Sequence, residues 1–126
     1  MKLHPDKSSV QSITGYGEGW IAVDGERITS SVIVGSGGER MAWQCSRFAD
    51  LDASHFARLA DLDVELVLFG SGHRLRFPPP AWLQPLMRRR IGIESMDSHA
   101  ACRTYNILSG EGRKVAVALL LEDTPT

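Results

Sequence analysis

VELVLF (Val64–Phe69), IGI (Ile91–Ile93) and VAVALLL (Val115–Leu121) decide the fold. Each run is short enough for a strand and too short for a buried helix. Apart from Glu65 they carry no polar side chain, and strands that are apolar on both faces belong in the middle of a covered sheet. The segments between them read as helices, roughly Pro80–Arg90 and Ser98–Ser109. Strand–helix–strand–helix–strand is the pattern of an α/β layered domain.

Working outward, Pro80 suits a first helical turn, whereas Pro85 predicts a kink or a tight first turn. Asp97 or Ser98 is the expected N-cap of the second helix, and Gly110 and Gly112 its stop. Ala101, Tyr105 and Leu108 recur at helical spacing and are expected to face the sheet. Upstream, DLDASHFARLADLD has Asp52 or Ser54 as a cap, then Phe56, Leu59 and Ala60 on one stripe, with His55 a surface residue beside it. Asp24-Gly25 lies between two β-rich runs and favours a type I′ turn, which predicts a hairpin of Gly19–Val23 and Arg27–Val34. Gly15, Gly17 and Gly19 suggest a bulged or closely packed edge there. A short strand is expected around Met41–Gln44. Gly35-Ser36-Gly37-Gly38 lacks the lysine of a phosphate loop and a following helix, so it reads as a turn. The expected organisation is a polar, loosely packed tail over residues 1–12 and a single α/β domain over 13–126. That domain has three layers, a mixed central sheet, flanking helices and the N-terminal hairpin.

Composition narrows the function. The chain of 126 residues is 43% hydrophobic and 23% charged, with a formal charge of −1. Nothing in this balance points to nucleic acid or an anionic membrane. The only basic run, Arg88-Arg89-Arg90, is expected at a helix C-terminus, where cations complement the dipole. Cys45 and Cys102 are far apart, which argues against a disulfide framework and a thiolate metal site. No metal or cofactor is expected. No stretch reads as a signal peptide or is long enough to span a bilayer, and a cytoplasmic location is expected.

If the first two apolar strands run parallel, they end on one rim of the sheet. Two loops then emerge side by side: GSGHRLRF from Gly70, and ESMDS from Glu94. The expected contact site at this rim comprises Gly70, Ser71, Gly72, Arg74, Glu94, Asp97, Arg103 and Asn106. Gly70-Ser71-Gly72 permits either a close backbone approach or a sharp exit from a buried strand. Arg74, Arg76 and His73 could make a weakly positive recess for a carboxylate or phosphate with the helix amides. Arg103 has two readings, a structural pair with Glu94 or Asp97 and a fork for an anionic ligand or a partner's acidic side chain. Cys102 with His99 and Asn106 has the residue types of a thiol triad. Buried packing is the preferred reading, because side chains three apart on one helix rarely aim their reactive atoms at each other.

Gly70-Ser71-Gly72, Glu94-Ser95-Met96-Asp97-Ser98 and Arg103-Thr104-Tyr105-Asn106, followed by a glycine-bounded apolar strand, resemble a family of small α/β domains of unknown function. The family includes bacterial proteins and relatives of the mitochondrial complex I assembly factor three, and the adipogenesis-associated domain protein resembles it too. His99 stands where the family pattern has a small residue, Ser71 where threonine is common, and Pro85 is atypical. The resemblance implies a three-layer α/β domain with a mixed sheet and no assured enzymatic reaction. It also implies a protein-interaction role related to respiratory complex assembly, with a protein partner. The alternative expectations are a small-anion site or latent hydrolase using Ser71, Arg74 and Arg103, and a homo-oligomer pairing through the hairpin edge.

Overall fold

The computed structural model describes residues 10–122. Among these residues eight strands form two sheets. β1 (Ile13–Gly17), β2 (Trp20–Val23) and β3 (Glu26–Ile28) make an antiparallel meander. β4 (Val32–Gly35), β5 (Arg40–Ala42), β6 (Leu66–Gly70), β7 (Gly92–Met96) and β8 (Val115–Leu119) form a sheet of order β5-β4-β8-β6-β7. β6 runs parallel to both β7 and β8, while β4 is antiparallel to β5 and β8. The sheet is therefore mixed, and the last strand lies parallel to β6 at its centre.

Side-chain alternation splits the core into two layers. Val67, Phe69, Ala116, Ala118 and Ile33 face one side, with Trp43, Phe56, Leu59 and Leu86. That side is covered by α1 (Ala53–Ala57), a following 3-10 turn (Arg58–Asp61), and α2 (Gln84–Arg88). Leu68, Val115, Val117, Leu119, Val32 and Val34 face the other side, with Ile13, Ile21, Val23, Ala101, Cys102 and Tyr105. There the meander and α3 (Ser98–Gly110) form the third layer together.

Local chemistry explains the elements. Asp24 and Gly25 have φ of 50° and 86°, as a type I′ turn requires, and β2 pairs with β3 across them. A register shift between Ile13 and Gly15 marks a bulge in β1. Asp52 caps α1, and His55 completes a capping box by accepting the Asp52 N–H at 3.1 Å. His55 is thus half-buried and structural, not a plain surface residue; its other ring nitrogen lies 3.0 Å from the Gln44 carbonyl oxygen. Gly35–Gly38 forms a tight turn closed by Gly35 N–H to Glu39 O, with the Glu39 carboxylate accepting the Gly37 N–H.

Four expectations need correction. The stretch Arg27–Val34 is two strands in different sheets. It breaks at Ser31, whose hydroxyl accepts the Leu121 N–H and whose carbonyl accepts the Trp43 N–H. Pro80–Arg90 is a 3-10 turn (Pro80–Leu83) followed by α2, with Pro85 in the first turn of α2, where its missing N–H costs no helix bond. Ile91–Ile93 is not an interior strand. Ile91 packs into the core at the end of the preceding turn, and β7 is an edge strand with Gly92 and Glu94 exposed. Finally, Gln11, at the end of the expected tail, is buried and donates to the Gly35 and Glu39 carbonyls. Residues 1–9 of that tail lie outside the described residues.

Candidate functional site

The parallel pairing of β6 and β7 brings the two loops together at one rim. Ser71 N–H donates to Met96 O at 2.8 Å, and Ser98 N–H to Gly72 O at 2.9 Å. Gly70 lies beneath α3: a Cβ there would stand 2.7 Å from Leu119 Cδ2 and 3.0 Å from Ser98 Oγ. Gly72 has φ +102°, and a Cβ would run into the Glu122 carboxylate. Both readings of the glycines hold at once: Gly70 allows close approach and Gly72 makes the turn.

The polar groups at this rim are spent on one another. Ser71 is fully buried; its hydroxyl lies 2.7 Å from Arg74 O and accepts the Arg76 N–H at 2.9 Å. Ser98 Oγ donates to Leu120 O and accepts the Gly72 N–H. Asp97 accepts the Ala100 N–H as N-cap of α3. Beneath them lies an ion pair whose acidic member, Glu122, the sequence reading passed over. Arg76 pairs with the buried Glu122 at 2.7 Å, also donates to Ser71 O, and lies over the Phe48 ring at 4.8 Å. Glu122 in turn accepts the His73 N–H at 3.0 Å. Arg76 and Glu122 are 46 positions apart, so no local pattern could couple them.

A recess of about 70 Å³ opens here, lined by Gly17, Gly72, His73, Asp97, His99 and Glu122 among others. Ser71, Arg74 and Arg103 are not among its lining residues. Arg74 and Glu94 are exposed on the surface. The structure thus brings together Gly70, Ser71, Gly72, Asp97 and the Arg74 carbonyl, and turns the side chains of Arg74, Glu94, Arg103 and Asn106 elsewhere.

Arg103 and Asn106 face the meander, which explains the polar side of α3. Asn106 accepts the Ile13 N–H at 2.9 Å and donates to Ile13 O at 2.8 Å, so its amide pairs with β1 as a neighbouring strand would. Arg103 donates to the Tyr16 hydroxyl at 3.0 Å, instead of pairing with Glu94 or Asp97. His99 Nε2 lies 3.0 Å from Gly17 O, its ring against Tyr16. Tyr105 donates to Gln11 O at 2.8 Å. Cys102 is fully buried, and desolvation pushes its thiol up to about 12. His99 and Asn106 point their polar atoms at backbone on the meander, so they form no triad with that thiol. Among the described residues no cluster of His, Cys, Asp and Glu is arranged to hold a metal ion. No helix among them is long and apolar enough to cross a membrane.

A second surface was not foreseen. β7 ends the sheet, and its backbone alternates between β6 and the outside. Gly92 N–H donates to Glu65 O, and Met96 O accepts from Ser71, so these even-numbered positions face β6. The N–H and C=O groups of Ile93 and Ser95 therefore face outward, and no hydrogen bond among the described residues reaches them. Alongside runs a shallow, largely apolar groove of about 600 Å³, lined by Phe77, Pro80, Leu83, Ile93, Glu94 and Ser95, among others. Phe77, which lines this groove, is 69% exposed.

The fold and the rim define a small three-layer α/β domain with a mixed sheet, whose glycine loop and capped helix are locked together by buried polar bonds. The chain belongs to the protein family of unknown function DUF498/DUF598, whose pattern it matches over residues 13–120. Among curated relatives it is 31% identical over 80 residues to NADH dehydrogenase (ubiquinone) 1 alpha subcomplex assembly factor 3 of Bos taurus, covering 62% of this chain and 44% of that protein. It is 28% identical over 67 residues to the 13 kDa major membrane protein of Francisella tularensis subsp. holarctica, covering 53% and 54%. The chain thus spans only about half the length of these relatives. A crystal structure of a Bordetella parapertussis protein superposes with a TM-score of 0.84 at 37% identity, covering 90% of this chain and 98% of that one. A Bordetella pertussis solution structure described as an Mth938-like domain gives 0.80 at 35% identity, covering 97% and 93%.

Proposed function

We propose that this chain is a non-enzymatic protein-interaction domain that takes part in assembling a respiratory complex. The observation that carries the reading is the set of curated relatives that bear the name of a complex I assembly factor. The chemistry of the rim supports it. The hydroxyls of Ser71 and Ser98 are committed to backbone, and the Cys102 thiol is buried and protonated, so the rim offers no activated nucleophile. The outward face of β7 and its apolar groove instead have the character of a contact surface.

The test compares cells with and without the chain. Membranes from cells lacking it should contain less assembled NADH dehydrogenase on native gels, and expression of the wild-type chain should restore the complex. Equal amounts of assembled complex in the two strains would sink the assembly role.

A further inference from the structure

The two edges of the five-stranded sheet are finished differently. At β5, the Arg58 guanidinium donates to Ala42 O at 3.0 Å, and Arg40 is tied to Glu26 at 2.6 Å and to the Gln11 side chain. That strand has three residues and carries charge, as protected edges do. β7 has five residues, no proline and a single charge, Glu94, and its outward backbone groups at Ile93 and Ser95 meet no partner among the described residues. The apolar groove of Phe77, Leu83 and Ile93 borders this edge. Arg88, Arg89 and Arg90 are all exposed and lead directly into it; Arg90, at φ 58°, makes the reversal from α2 toward the strand. Hydrogen-bonding backbone and an apolar slot therefore share one flank, and three exposed arginines immediately precede its strand in the chain.

We propose that this flank receives an extended, acidic segment of a partner protein, which adds beside β7 as a sixth strand. Its backbone pairs with Ile93 and Ser95, an apolar side chain enters the groove, and its carboxylates meet the arginines at the start of the strand. Backbone pairing supplies affinity in such an arrangement, and the slot and charge supply selectivity. The charge complementarity selects this occupant over a neutral one. The inference deepens the protein-interaction reading, on which it rests, by naming the surface and the chemistry of the partner.

The probe is a short synthetic peptide of alternating valine and threonine with a central phenylalanine, carrying aspartates at one end. A second version carries lysines in their place. Fluorescence anisotropy should show the acidic peptide binding at least about tenfold tighter than the basic one, a difference of about 1.4 kcal/mol. Arg88→Glu with Arg89→Glu should reverse that preference. Ser95→Pro removes an outward N–H and no bond to β6, so it should abolish binding of both peptides while leaving the thermal midpoint close to wild type. Amide exchange at Ile93 and Ser95 should slow in the wild-type complex.

Equal binding of the two peptides, or binding unaffected by Ser95→Pro, would overturn the proposal. So would a wild-type dimer in sedimentation that Ser95→Pro dissociates, since the edge would then belong to a second copy of this chain. Peptide results as expected together with unchanged NADH dehydrogenase assembly in cells lacking the chain would retain the docking edge and reject the assembly role. Impaired assembly with no peptide binding would do the reverse.

Discussion

The rim at Gly70–Gly72 and the flank at β7 are neighbours on the same strand pair, yet they solve opposite problems. At the rim, buried polar groups find partners inside the molecule: Glu122 has Arg76, Ser98 has Leu120 and Gly72, and Ser71 has Arg76. Along the flank, backbone groups and an apolar slot are left facing outward. The rim has the residue types that attract functional attention, and it spends them on holding two loops to a helix. Apart from Glu94 and the arginines that precede β7, the flank is built from proline, leucine, phenylalanine and bare main chain. Such material draws no attention in a sequence, and it is well suited to receiving another chain.

Substitutions should separate the two regions. Arg76→Ala is expected to have the largest effect, roughly 3–5 kcal/mol, because it strands the buried Glu122 carboxylate. Urea denaturation measures it, and a loss below about 1 kcal/mol would mean that water reaches Glu122. Gly72→Ala should follow, at roughly 2–3 kcal/mol, since φ +102° disfavours a side chain and Glu122 occupies the space. Asn106→Ala should cost roughly 2 kcal/mol by leaving the N–H and C=O of Ile13 without partners. Slowed amide exchange retained at Ile13 would show that the meander docks without that clamp. Ser95→Pro on the flank should change stability by less than about 0.5 kcal/mol, and a large loss would break the comparison outright.

The smallest effect concerns the thiols. Cys45 is partly exposed, and Cys102 is buried with its pKa pushed to about 12. Iodoacetamide at neutral pH should therefore modify the native protein at Cys45 only, slowly because burial also raises that thiol, and should reach Cys102 only in denaturant. Mass spectrometry reads the difference. Rapid native modification of Cys102 would reopen the case for a reactive helix.

Much of this architecture was written in local pattern. Apolar runs at Val64–Phe69, broken only by the exposed Glu65, and at Val115–Leu121 specified covered strands, because they left almost no solvent-facing side chain. Asp24-Gly25 specified its turn through positive φ, and Asp97 its helix start through a side-chain acceptor. Three-residue IGI misled, because Gly92 hides the alternation that marks an edge. The break at Ser31 was invisible, since it depends on bonds to Leu121 and Trp43.

The sequence by itself determined the layered α/β class and the capped start of α3, while the parallel pairing that brings the glycine loop to that helix entered only as a condition, which the β6–β7 register meets. The class and the helix start follow from periodicity and capping, which act within a few residues. Only the tertiary structure decided what the polar side of α3 is for, which acid Arg76 neutralises, and which sheet edge is open. Those outcomes depend on groups up to ninety-odd positions apart, such as Asn106 with Ile13 and Tyr105 with Gln11. A hydrogen bond or ion pair between distant residues leaves no spacing rule in the chain, because its geometry exists only once the layers have packed.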